Sequence, residues 1–129
     1  MIKVTERGWP GHFICSDSCI FRRNTLIESE YDSVVVSTVG SMLSTDRKRI
    51  ETIGASGRYY ETMVFGSKID GVYIEANVSD QRDFKSEWAI CAESPDKLPK
   101  DIDNKANEMH DAVVVEFIDK LSTEEEEKT

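Results

Sequence analysis

No stretch of this 129-residue chain approaches the ~20 consecutive apolar residues that a membrane-spanning helix needs. The first residues, Met1 to Arg7, mix charges into an alternating pattern without an apolar core, so neither a signal peptide nor a membrane partner is expected. Cysteine is scarce as well. There are three, an odd number, and Cys15 and Cys19 stand only four positions apart, which suits a reducing compartment better than a disulfide framework. The cytoplasm is the expected location. Positive charge is in short supply: 16 lysines and arginines face 25 aspartates and glutamates, a formal charge of −9. A nonspecific nucleic-acid binder needs a cationic surplus to displace counterions from phosphate, so direct nucleic-acid binding is not expected. Catalytic signatures are missing too. There is no G-x-G-x-x-G, no P-loop, and no H-x-E paired with P-C-x-x-C as in zinc deaminases. No motif names a reaction or a cofactor, and the chain reads as a non-enzyme.

What is present fits one domain with a wet surface, 39% hydrophobic and 32% charged. A chain of this length buries roughly two thirds of its unfolded surface, enough for a core without a metal or disulfide. Alternation predicts a first strand over Ile2 to Arg7, then a turn at Gly8-Trp9-Pro10-Gly11 and a short extended piece at His12-Phe13-Ile14. Cys19 to Glu28 predicts a strand with Cys19, Phe21, Arg23, Thr25 and Ile27 on one side, although neither side is cleanly apolar. Val34 to Val39 is rich in β-branched residues and gives the clearest strand. Further strands are expected over Arg49 to Gly54, Tyr59 to Gly66, Val72 to Val78 and Glu87 to Ala92, with Asp70-Gly71 turning a hairpin between two of them. Pro95 and Pro99 then mark a loop. Ile102, Ala106, Met109, Val113, Phe117 and Leu121 recur at three or four residues and predict one amphipathic helix from about Asp103, capped by Asp101 or Asp103. The expected fold is therefore α+β: an antiparallel, meander-like sheet of about five to seven strands packed by a single C-terminal helix. Residues 1–121 form the expected domain and 122–129 a disordered acidic tail containing the run Glu124 to Glu127.

Four constellations could carry chemistry. His12, Cys15, Cys19 and Cys91 are zinc-type ligands, but their spacing matches no zinc knuckle, and free cysteines on strands usually pack as small hydrophobes, so no metal site is favoured. Arg22, Arg23 and Asn24 could line an anion or nucleotide pocket with Tyr59 and Tyr60. Consecutive strand residues point to opposite faces, however, so only one arginine can enter a given pocket, and an ion pair with local carboxylates is the favoured role. A cysteine nucleophile with His12 or His110 lacks any supporting pattern; His110 reads as a boundary residue of the helix over the sheet. Trp9, between glycine and proline in a turn, is a candidate interface anchor, and burial under the end of the sheet fits it equally well.

The strings Gly8-Trp9-Pro10-Gly11-His12-Phe13-Ile14-Cys15, Cys19-x-Phe21-Arg22-Arg23-Asn24-Thr25-Leu26, Tyr59-Tyr60-Glu61-Thr62-Met63 and Ala106-Asn107-Glu108-Met109-His110 resemble a group of small uncharacterised proteins of tailed phages and prophages. The resemblance implies action inside a bacterial host cell and brings no activity, cofactor or catalytic residue with it. Three functions are then weighed. The first is an acidic interaction protein that binds and modulates a host protein, including a version that imitates nucleic acid towards a host defence enzyme. The second is a small-ligand or nucleotide binder, and the third a zinc-binding domain. A monomer and a homodimer stay equally open. The binding residues nominated are Trp9, His12, Arg22, Arg23, Asn24, Tyr59 and Tyr60.

Overall fold

A computed structural model describes residues 1–7, 18–54, 57–66 and 81–129. Its strands are β1 (Lys3–Arg7), β2 (Cys19–Glu28), β3 (Ser33–Leu43), β4 (Ile50–Glu51), β5 (Arg58–Gly66), β6 (Gln81–Asp83) and β7 (Ala89–Cys91), followed by one helix, α1 (Ile102–Lys128). All strand pairs are antiparallel, in the order β1-β2-β3-β5-β6, with β4 beside the end of β3 and β7 beside the start of β5. The fold is thus the expected α+β meander with one C-terminal helix. Among the described residues no helix is long and apolar enough to cross a membrane. The expected turn at 8–11, the extended piece at 12–14, the hairpin at Asp70-Gly71 and the strand over 72–78 lie outside the described residues.

Tight turns make the meander possible. Between β2 and β3 the Ser29 amide donates to the Asp32 carbonyl at 2.8 Å, and the Ser29 hydroxyl accepts the Tyr31 and Asp32 amides. Such a serine-centred turn satisfies backbone groups that have no strand partner. Strand β3 changes neighbour part-way. It pairs with β5 as far as Gly40 opposite Tyr60, and with β4 from Met42 onward. Ser41 lies between the two ladders with φ 53°, a left-handed conformation that turns the strand from one partner to the other. Its hydroxyl donates to the Tyr60 hydroxyl at 2.5 Å, which in turn donates to Asp103 on α1 at 3.2 Å.

Gly40 is held to glycine by packing. The Tyr60 ring lies directly over it, edge-on to Phe21 at 5.7 Å, and a Cβ on residue 40 would overlap the ring. Tyr60 is 1% exposed and has no free space to retreat into. Gly40→Ala is therefore expected to cost about 1–3 kcal/mol or more, as overpacked cores do. Urea denaturation checks this, and an unchanged midpoint would mean that the ring does not occupy that position.

The helix covers one sheet face in two apolar clusters. Its first half packs Ala106, with Ile102 and Met109, against Tyr60. Its second half packs Val113, Val114, Phe117 and Leu121 against Ile27, Val34, Val36, Val64 and Trp88. On the other face Leu26, Val35 and Phe65 form a smaller cluster. The apolar stripe of α1 is the one expected, but both ends differ. The chain is helical from Ile102; Asp101 occupies the cap position without a side-chain capping bond, and Asp103 instead accepts from Tyr60. At the other end the expected disordered tail is helix through Lys128. Glu125 accepts from the Met1 amine at 2.8 Å and from the Glu30 amide at 2.7 Å, and Lys128 pairs with Glu124 one turn back. Opposite charges placed there offset the unfavourable meeting of four glutamates with the negative end of the helix dipole.

Candidate functional site

Between the two apolar clusters of α1 lies a belt of polar side chains centred on His110, which is fully buried. Its Nε2 is 2.7 Å from the Thr25 hydroxyl and its Nδ1 is 2.6 Å from the Thr38 hydroxyl. Thr38 is 2.6 Å from Thr62, its cross-strand partner on β5. Thr25 donates to Glu6 at 2.9 Å, and Glu6 faces it across the β1–β2 ladder. The sheet register thus carries the threonines to one spot under the helix.

Proton positions follow from the chemistry of the end groups. Because Thr25 gives its single hydrogen to the Glu6 carboxylate, it can only accept from His110, so Nε2 carries the proton. In the neutral ring Nδ1 then holds the lone pair, and Thr38 donates to it. Thr38 must therefore accept from Thr62. The result is one directional chain from Thr62 through Thr38, His110 and Thr25 to Glu6. At its outer end Arg23 donates to both oxygens of Glu6 at 2.9 and 3.2 Å, and also reaches Asp111 at 2.7 Å and Asn107 at 3.2 Å.

Charges along the belt are shifted accordingly. Burial pushes the Glu6 carboxyl up, but hydrogen bonds from Arg23 and Thr25 outweigh it and hold the group below the usual carboxylate value. Burial likewise works against the Arg23 guanidinium, and Glu6 and Asp111 more than compensate. Burial, aided by the charge of Arg23, drives the imidazole of His110 down to about 4. The unfolded chain therefore binds a proton at His110 near pH 6.5 that the folded chain refuses until about pH 4. Stability at this group is complete above pH 6.5 and is lost as the pH falls towards 4, by about 3 kcal/mol in all. The carboxylates with lowered values begin to lose their contribution only near pH 4.5, at the acid end of this range. Urea midpoints measured from pH 7.5 to 4.5, in a His12→Gln background so that one imidazole titrates, should fall across this window; a flat profile would contradict a neutral buried His110.

Both ring nitrogens are committed, so His110 offers no lone pair to a metal or to a substrate. What the belt does is positional. A helix held at Thr25 and Thr38 by one side chain, and at Arg23 by Asp111, cannot rotate about its axis, and this decides which residues it turns outward.

Of the residues nominated from sequence, those described are not brought together at one surface site. Trp9, His12 and Cys15 lie outside the described residues. Arg22 and Arg23 point to opposite faces, Arg22 exposed and Arg23 in its ion pairs under the helix. Asn24 is buried on the face away from the helix, and its Oδ1 accepts no hydrogen bond among the described residues. Tyr59 and Tyr60 are core residues rather than surface contacts. Cys19 is buried and Cys91 exposed, with β3 and β5 standing between their strands. Among the described residues no three His, Cys, Asp or Glu side chains gather to hold a metal ion. The chain matches no protein-family model, no curated protein and no solved structure.

His110 reads in sequence as a boundary residue of the helix over the sheet, whereas it is fully buried at the centre of the belt, and the sequence does not single out the three threonines as its partners. One signal was available: His110 falls on the apolar stripe between Ala106 and Val113, where a polar side chain needs buried partners.

Proposed function

We propose that this chain is a non-catalytic interaction protein that binds a basic surface of an intracellular protein partner through the outward face of α1. The phage resemblance makes a bacterial host factor the partner of choice. The observation that carries the reading is the charge of the helix. Among its residues nine carboxylates stand against three lysines. Each lysine is already engaged: Lys105 with Asp101 at 3.9 Å, Lys120 with Glu116 at 3.2 Å, and Lys128 with Glu124 at 3.4 Å. Glu108, Asp119, Glu126 and Glu127 make no ion pair among the described residues and face solvent. Such a surplus repels other acidic surfaces and steers cationic ones.

Within this charged face sit Ala112 and Val115, the latter 65% exposed. An exposed valine among carboxylates suits a protein interface, which combines apolar contact with a polar rim. It has no counterpart in an imitation of nucleic-acid phosphates, so a protein-binding surface is the better supported version.

The test is capture from a bacterial lysate on the immobilised protein, read by mass spectrometry, beside an Asp119→Lys/Glu126→Lys variant. A specific protein should be retained at low salt, released as salt screens the contact, and absent from the variant. Retention that ignores both salt and charge reversal would overturn the reading.

A further inference from the structure

Beside α1, where the helix no longer covers the sheet, an open groove of about 480 Å³ runs between the helix and β7. Its floor is Trp88, Ala89, Ile90, Met109 and Val113, with Ala112 on the helix side. Its rim carries Glu87, Glu108 and Glu116 against the single cation Lys105. Lys105 leans to Asp101, and Glu116 is held by Lys85 and Lys120, so Glu87 and Glu108 are the two rim charges without an ion pair among the described residues. They come from opposite walls, one from the chain leading into β7 and one from α1.

We infer that this groove takes a short basic segment of the partner, an extended stretch with an apolar side chain on the floor and a lysine or arginine between Glu87 and Glu108. The inference rests on the proposed function and gives it a place and a ligand chemistry. Four observations support it. An apolar floor under an acidic rim is complementary to a chain that alternates apolar and cationic residues, since successive side chains of an extended segment point opposite ways. The helical wall from Lys105 to Glu116 is about 16 Å long, matched by roughly five extended residues. The strand bordering the groove, β7, pairs with β5 on one side and with no second strand among the described residues, which suits main-chain pairing by an added segment. The groove volume also falls in the range of sites that accept ligands, roughly 300–1,000 Å³.

The experiment is fluorescence anisotropy of the full chain with three labelled decapeptides: alternating Lys-Leu, alternating Glu-Leu and alternating Lys-Ser. Amide shifts of the 15N-labelled protein place any binding. The Lys-Leu peptide should bind saturably and move amides at 87–90 and 105–116. The Glu-Leu and Lys-Ser peptides should bind at least tenfold more weakly, because one lacks the charge and the other the apolar anchor. Ala112→Trp, which fills the groove from an exposed position, and Glu87→Lys/Glu108→Lys should each weaken Lys-Leu binding at least tenfold. Asp119→Lys/Glu126→Lys, outside the groove, should change it less than threefold. If only this last variant weakens binding, the groove is overturned while the acidic helix face stands as the docking surface. If Lys-Leu and Glu-Leu bind alike, or neither binds, the basic-segment inference fails. Lysate capture that persists in Ala112→Trp would then show that the wider reading survives without the groove.

Discussion

Replacing His110 with alanine should cost about 3–5 kcal/mol, the range of large cavity-forming substitutions in a packed core. Two effects combine. A ring that is fully buried leaves a void between the two apolar clusters of α1. Thr25 and Thr38 each lose a partner where water does not reach, although Thr25 keeps Glu6 and Thr38 keeps Thr62. A buried hydroxyl left short of a partner costs about 1–3 kcal/mol, whereas removing both members of a pair together is close to neutral. The quadruple variant Thr25→Val/Thr38→Val/Thr62→Val/His110→Leu, which also removes the Thr62 hydroxyl that donates to Thr38, should therefore recover most of the stability lost in His110→Ala. Guanidinium denaturation of both proteins decides the matter. A loss below about 1 kcal/mol in His110→Ala would show that the belt is not closed as described. Failure of the quadruple variant to recover would assign the loss to shape rather than to hydrogen bonding.

This belt also marks how far the sequence could be read. Strand positions, the helix stripe and the α+β class follow from local periodicity, because side-chain direction repeats every two residues in a strand and every 3.6 in a helix. Cys19 to Glu28 is bounded by the same residues in sequence and structure. Its lack of a clean apolar face, which read as a sign of solvent or ligand, has a different cause. Arg23 and Thr25 face the helix and belong to the belt, while Asn24 is buried on the other side. What could not be read is which distant residues meet. Thr62 lies opposite Thr38, and Glu6 opposite Thr25, only because of the registers of three ladders. Register depends on the packing of the whole sheet, and a shift of one residue would send every side chain to the other face. The end of the helix escaped for a related reason. Four consecutive glutamates beyond the last apolar residue look like a solvated tail, and their helical state depends on Met1 and Glu30, far away in sequence.

Phe117→Ala should cost about 3–5 kcal/mol, and it tests how the helix is held. A helix this rich in like charges gains little from its own sequence, and four glutamates at its negative end oppose it. Packing must hold the second half in place. Phe117 is 6% exposed, its ring stands edge-on to Trp88 at 6.2 Å, and Lys120 covers the outer side at 4.4 Å. Truncation would open a cavity against Trp88, remove the aromatic contact and leave Lys120 without its ring. Val115, two residues earlier on the same helix but largely exposed, provides the comparison. Val115→Ala should stay within about 0.5 kcal/mol, as surface substitutions do. The pair separates packing from helix propensity, since alanine is the better helix former in both cases. Thermal unfolding followed by near-ultraviolet circular dichroism reads the Trp88 environment directly. A large loss for Phe117 with little for Val115 means that the sheet holds the helix. Comparable small losses would mean that the charged helix stands on its own, and the outward face fixed by the belt would no longer be determined by the sheet beneath it.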